Sequence, residues 1–241
     1  RIINQYKDGT LRLSASLQSH DARVLKNIKR KNLPFEKLVT YTKSRKTNDS
    51  SNDFSAEFIL GLPGETTEKH YSSLRYAIDT LEASRIDIHQ LYLVHGAEMN
   101  EPETIKKYNM DIRYRVFVGA YGIYNIGDKK VPCTEVNNVV VANSTLSFDE
   151  FIECRIMNLL VKIFIDHDPF REVIGFVRKL NLSVFDLLIT LKDKIIPKYD
   201  SLTELISEFV EKTKNPIYKD LKELKIFLSK SETIKKYATG K

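Results

Sequence analysis

The stretch Phe54–Leu62, FSAEFILGL, constrains the fold more than any other part of this chain. It is a nearly continuous apolar run broken by Glu57, and it stops at Pro63–Gly64. Strands of this character are covered on both faces, as in a parallel sheet flanked by helices, and a Pro-Gly pair ends such a strand in a tight turn. The sequence on either side supplies what a parallel sheet requires. Leu11–Gln18 (LRLSASLQ) alternates apolar and small polar residues and reads as a half-buried strand. A helix follows it, with Asp21 as cap, Val24, Leu25 and Ile28 on one face, and Asn32, Leu33 and Pro34 closing it. Tyr41–Asp53 has no periodic apolar face and reads as a surface loop.

Beyond the central strand, Glu68–Ser84 keeps Tyr71, Leu74, Ala77, Ile78 and Leu81 at helical spacing. Glu65, Thr66 and Thr67 suit the positive N-terminus of that helix. Ile86–Val94 (IDIHQLYLV) alternates again and ends at His95–Gly96. Strand, helix, strand, helix, strand from Leu11 to Val94 is the pattern of parallel pairing through crossover helices. The character then changes. Tyr114–Tyr124 and Glu135–Ala142 read as two extended segments separated by a turn over Asn125–Pro132. Ser147 with Glu150 makes a capping box ahead of Phe151–Ile165, Ser183 with Asp186 is a weaker start signal, and Ser201 with Glu204 reads as another box ahead of Leu205–Lys212. The expected division is a β/α part over residues 1–113, an extended connector over 114–145 and a helical module over 146–241.

At 241 residues and 42% hydrophobic, the chain can bury one sizeable core and a smaller appended one. No run of eighteen apolar residues occurs, so no segment reads as a membrane span. The net charge of +6 is spread through the chain, with clusters at Lys26–Lys31, Lys43–Lys46 and the Lys-rich end, without interleaved aromatics; this reads as a solvated basic surface more than as a nucleic-acid site. Two cysteines, Cys133 and Cys154, make neither a disulfide framework nor a local metal site and suit a reducing cytoplasm.

Chemistry concentrates on Glu57–Thr66, EFILGLPGET. A lone carboxylate on a buried strand is costly unless it is paired, hydrogen-bonded or facing a polar cavity, and in a parallel barrel that cavity lies at the C-terminal ends of the strands. An ion pair between Glu57 and Arg30 is the other reading. Gln18 ends its strand and Arg30 follows twelve residues later; an amide and a guanidinium there would suit an amino-acid carboxylate. His95 follows the last strand of the unit and is a candidate for substrate contact, as is Tyr121 in the aromatic stretch Tyr114, Phe117, Tyr121, Tyr124, which also reads as core. His20 stands near Gln18, whereas His70, His89 and His167 lack metal-like spacing and read as structural.

Taken together, SASLQSHDARVLKNIKR followed by AEFILGLPGET resembles the fourth and fifth strand units of the radical S-adenosylmethionine barrel. The continuation IDIHQLYLVHGAEM, with Lys107–Tyr108 and Tyr114–Arg115, is similar to the sixth strand and its exit in the radical enzymes that carry a cobalamin-binding domain. The resemblance covers roughly Leu11 to Ile165. It implies an α/β fold: the C-terminal strands of an open, partial (β/α)6 TIM-type barrel followed by a mainly helical module. It also implies that Gln18 contacts S-adenosylmethionine, that Arg30 pairs with its carboxylate, that Glu57 accepts from its ribose hydroxyls, and that Leu60, Gly61 and Leu93 flank its adenine. The family uses a 4Fe-4S cluster, an electron donor such as flavodoxin or ferredoxin, an organic substrate and, in the similar group, cobalamin for methyl transfer. Its cluster-binding CxxxCxxC spacing does not occur here, so those ligands are expected upstream of Arg1. Two other readings stay open: a non-catalytic α/β binding module with a structural Glu57–Arg30 pair, and a basic helical adaptor for nucleic acid.

Overall fold

The structure, a computed structural model, describes residues 13–34, 36–40, 54–167, 169–215, 217–230 and 233. Leu11 and the loop expected over 41–53 lie outside the described residues. Strands β1 (Leu13–Gln18), β2 (Phe54–Leu60) and β3 (Arg85–Gln90) form a parallel sheet in the order β1-β2-β3. The crossovers carry helices α1 (Ala22–Asn27) and α2 (Thr67–Arg75). Both begin where short polar side chains satisfy free N–H groups. The Asp21 carboxylate accepts from Arg23 N and Val24 N, and the Thr66 hydroxyl accepts from Lys69 N.

Helix α2 widens into a π turn, Tyr76–Thr80, and does not reach Ser84 as the apolar spacing predicts. Glu82 ends it by adopting a left-handed backbone with φ of 50°. The π turn leaves Asp79 to serve a distant helix: its carboxylate accepts from Ser183 Oγ at 2.6 Å, Val184 N at 2.9 Å and Phe185 N at 3.2 Å.

After α3 (Pro102–Tyr108), the two extended segments form one long antiparallel hairpin, β4 (Asp111–Ile126) and β5 (Lys129–Ala142). The broad turn expected over Asn125–Pro132 is corrected to the two residues between Ile126 and Lys129, because the ladder persists through polar residues that carry no apolar pattern. The base of β5 also pairs with the chain leaving β3: Val140 N donates to Leu91 O, and Leu93 N to Asn138 O, both at 2.9 Å.

Five helices follow: α4 (Phe148–Phe164), α5 (Arg171–Lys179), α6 (Val184–Thr190), α7 (Asp200–Lys214) and α8 (Leu221–Ser229). The Ser147–Glu150 capping box is present at α4, and Ser183 caps α6. The box expected from Ser201 and Glu204 is not formed, because α7 already begins at Asp200 and both residues lie within it.

One face of the parallel sheet carries the main core. Ala15, Leu17, Phe54, Ala56, Phe58 and Ile86 pack there against Leu74 and Ile78 of the α2 region, Met157, Val161 and Ile165 around α4, and Phe185 and Leu188 of α6. Fully burying each such Phe or Leu contributes about 1.5–3 kcal/mol, so the helices after the hairpin are anchored to the sheet through shared apolar surface. The result is a mixed α/β protein in which the described residues form two small sheets, neither of them closed. Among the described residues, no helix is long and apolar enough to cross a membrane.

Candidate functional site

The other face of the parallel sheet is polar. Strand alternation sends Ser14 and Ser16 of β1, Ser55, Glu57 and Ile59 of β2, and Arg85, Asp87 and His89 of β3 to this side, where all are exposed or half-buried. Glu57 lies at its middle, with Ser16 and Asp87 as its neighbours across the two ladders. Its carboxylate accepts from Ser14 Oγ at 3.1 Å and from the Ser16 hydroxyl. Two hydroxyls solvate the charge while leaving lone-pair capacity for a further donor.

Arg30 is not the partner of Glu57. Its Nη2 donates to the Ser16 carbonyl at 2.5 Å and its Nε to Asn32 Oδ1 at 3.4 Å, while Asn32 Nδ2 donates to Leu17 O at 2.7 Å and Ser19 O at 3.1 Å. The structural Glu57–Arg30 ion pair is therefore replaced by an arrangement in which Ser16 touches both residues, through its hydroxyl on one side and its carbonyl on the other. Gln18, half-buried at the end of β1, has a left-handed backbone with φ of 62°, beside an irregularity in the β1–β2 register. A non-glycine residue held there carries strain of order 1 kcal/mol, which fixes where its side chain leaves the strand.

The remaining expected contacts are dispersed. Leu60 is wholly buried among Val139, Val141, Leu146 and Phe151, and Leu93 is buried with Val24, Leu62, Met110 and Val140. Gly61 is pressed against β5: with φ of +97°, a Cβ built on it would stand 3.2 Å from Val140 O. These three positions face the protein's own hairpin rather than an open surface. His95 is exposed in the turn after β3. The side chain of Tyr121 lies outside the described residues.

A second polar cluster, which the sequence reading did not single out, is buried under the Leu-Pro-Gly turn. Glu65, 1% exposed, accepts from Gly61 N at 2.7 Å and Leu62 N at 3.3 Å through one oxygen, and its other oxygen lies 3.1 Å from His70 Nδ1. The opposite ring nitrogen of His70 is 2.8 Å from Asn158 Oδ1 on α4. The His70 ring thus bridges the Glu65 carboxylate to α4. Asn143 closes the turn from the other side, Nδ2 donating to Gly61 O at 3.1 Å and Leu62 O at 3.2 Å. Reading Glu65 as a first-turn carboxylate missed that it bends back onto the strand end. The signal available was its position one turn ahead of His70, next to glycine-rich backbone with free N–H groups.

Cys133 is exposed on the hairpin and Cys154 is buried on α4, where burial pushes its thiol up to about 12. Among the described residues, no group of three His, Cys, Asp or Glu side chains could hold a metal ion. The residues present therefore do not fit a cluster site. Comparison with protein-family models finds no match, and comparison with curated proteins finds no relative.

Proposed function

We propose that this chain is the later part of a radical S-adenosylmethionine barrel, contributing its fourth to sixth strands and a helical module, and that Glu57 receives the ribose of the bound nucleoside. The observation that supports this is the polar face of the parallel sheet. In a β/α barrel the helices cover the outer face of the sheet and leave its inner face to the side chains of the strands, with the ligand met toward their C-terminal ends. Here the helices pack on the Phe54–Phe58 side, and Glu57 sits at the centre of the opposite side with only hydroxyl partners among the described residues. A carboxylate so disposed accepts from two vicinal hydroxyls without first breaking an ion pair.

On this reading Glu57 orients the ribose, and Arg30, already exposed beside Ser16, turns its guanidinium to the amino-acid carboxylate. Gln18 contributes an amide at the strand end. When bound, S-adenosylmethionine would supply radical chemistry through one-electron reductive cleavage of its sulfonium, fed by a flavodoxin or ferredoxin and directed at an organic substrate. The protein's part is position and exclusion of water. A 4Fe-4S cluster would have to be held by residues other than those of this sequence, and cobalamin-dependent methyl transfer is the reaction of the group it resembles. Such chemistry suits a reducing cytoplasm.

The test uses the complete gene product, reconstituted anaerobically with iron and sulfide and reduced by dithionite. The wild type should release 5′-deoxyadenosine, and Glu57→Gln should lower the apparent affinity for S-adenosylmethionine about tenfold, as expected when one charged acceptor of two hydroxyls is neutralised. An upstream region without CxxxCxxC, or a Glu57→Gln variant that binds and cleaves as the wild type does, overturns the proposal.

A further inference from the structure

Beside the edge of β3, a cavity of about 200 Å³ opens between the sheet, α4 and α7. At roughly 30 Å³ per water this is room for several solvent molecules or one small ligand group. Its polar and aromatic lining comprises Asp87 and His89 from β3, Arg155, Asn158 and Lys162 from α4, and Phe209 from α7. His89 and Lys162 are exposed, so the cavity reaches solvent.

Most of these charges are already matched. Asp87 lies 2.8 Å from Arg85 Nε and 3.6 Å from Lys162 Nζ, and Lys162 pairs again with Asp166. Arg155 differs. Among the described residues it has no carboxylate partner, and its buried Nε has no hydrogen-bond acceptor. Its guanidinium lies 5.7 Å from the centre of the Phe209 ring. A second cation stands near it: Arg115, which donates to Tyr92 Oη. Burial, and then the like charge of Arg115, hold the Arg155 guanidinium below its usual pKa.

One helical turn further along α4, Asn158 is only 5% exposed. With its oxygen committed to His70, its Nδ2 is buried without an acceptor. One wall of the cavity therefore holds the Nε–H of a guanidinium and the Nδ2 of an amide, three positions apart on a helix, each buried without an acceptor among the described residues. Buried donors left in this state are destabilising, more so when charged, unless something in the cavity accepts from them. A neutral apolar ligand would leave both unsatisfied, and a cation would meet Arg155 and Lys162.

We propose that this cavity binds the oxyanion group of a small molecule, a carboxylate or a phosphate, held by the Arg155 fork and the Asn158 amide with His89 and Lys162 at the solvent side. An oxyanion accepts from both orphaned donors and relieves the repulsion between the two arginines, and the planar guanidinium favours two-pronged capture. The inference stands apart from the nucleoside reading, since the ligand is read directly by binding and needs no radical chemistry.

The experiment titrates the full chain with inorganic phosphate and, separately, with acetate, at constant ionic strength held by chloride, reading calorimetric heats and the thermal unfolding midpoint. At least one anion should bind saturably and raise the midpoint. Arg155→Gln should weaken that binding about tenfold or more, and Arg155→Lys, which keeps charge but loses the fork, should recover only part of it. His89→Gln, at an exposed position that does not threaten the fold, should weaken it about twofold to threefold. Preference for phosphate over acetate identifies a tetrahedral ligand, and the reverse a planar one. Failure of both anions to saturate overturns the proposal, as does binding that is unchanged in Arg155→Gln, or in His89→Gln should the first variant not fold.

Discussion

Glu57 and Glu65 stand at the two ends of one nine-residue stretch, EFILGLPGE, and the fold puts them to opposite uses. Glu65 is sealed from solvent, with two backbone N–H groups and the His70 ring consuming its oxygens. Glu57 is half-buried on a polar sheet face, held among the described residues by two serine hydroxyls. The first holds the strand end, turn and α4 together, whereas the second contributes little to the fold and retains capacity for a ligand. A carboxylate in a strand–turn motif is thus a guide to function only when its hydrogen-bonding capacity is not already used by its own backbone.

The contrast can be broken most forcefully at Glu65. Glu65→Ala leaves the buried His70 ring and two backbone donors without the carboxylate they meet and should cost about 3–5 kcal/mol, read as a lower urea midpoint with unchanged slope. Gly61→Ala acts on the same turn by forcing a side chain into a left-handed backbone against Val140 O, and should cost about 1–3 kcal/mol in the same assay. Glu57→Gln sharpens the other side: its stability should stay within about 0.5 kcal/mol of the wild type, because the site is partly solvated and an amide oxygen still accepts from serine.

The smallest effect concerns a carboxylate more exposed than either. A hydrogen bond from Arg75 at 2.6 Å holds the Asp186 carboxyl below its usual range. A lowered native pKa contributes stability above the unfolded value of about 3.9, and that contribution disappears as the pH falls through the native value. Arg75→Met should therefore be slightly less stable than the wild type near neutrality and converge with it in acid. A difference in thermal midpoint that grows below about pH 4 would contradict the assignment.

Local chemistry made much of the fold legible. The Asp21 cap, the Ser147–Glu150 box and the alternation of β1 appear where residue type predicts them, because each depends on neighbours in sequence; β2, expected to be covered on both faces, is buried on one only, and β3 stops at Gln90 rather than Val94. What escaped depends on distant partners. Nothing local says that α2 ends in a π turn so that Asp79 can reach residues 183–185, or that Asn125–Pro132 is mostly paired strand. The open sheet face was partly legible, since Glu57 and the serines of SAS occupy alternating positions. Arg155 and Asn158 were visible only as polar interruptions of an apolar helix, and their significance required the β3 edge and Phe209 beside them.

The Asp79 cap carries a consequence for how this protein comes apart. One carboxylate supplies the acceptor for the first amides of α6, so the C-terminal helices cannot fray inward past Val184 without also releasing the chain that follows α2. Melting is thereby coupled across a hundred residues of sequence, and the amide protons of Val184 and Phe185 should exchange with the slow, whole-molecule class rather than with the ends.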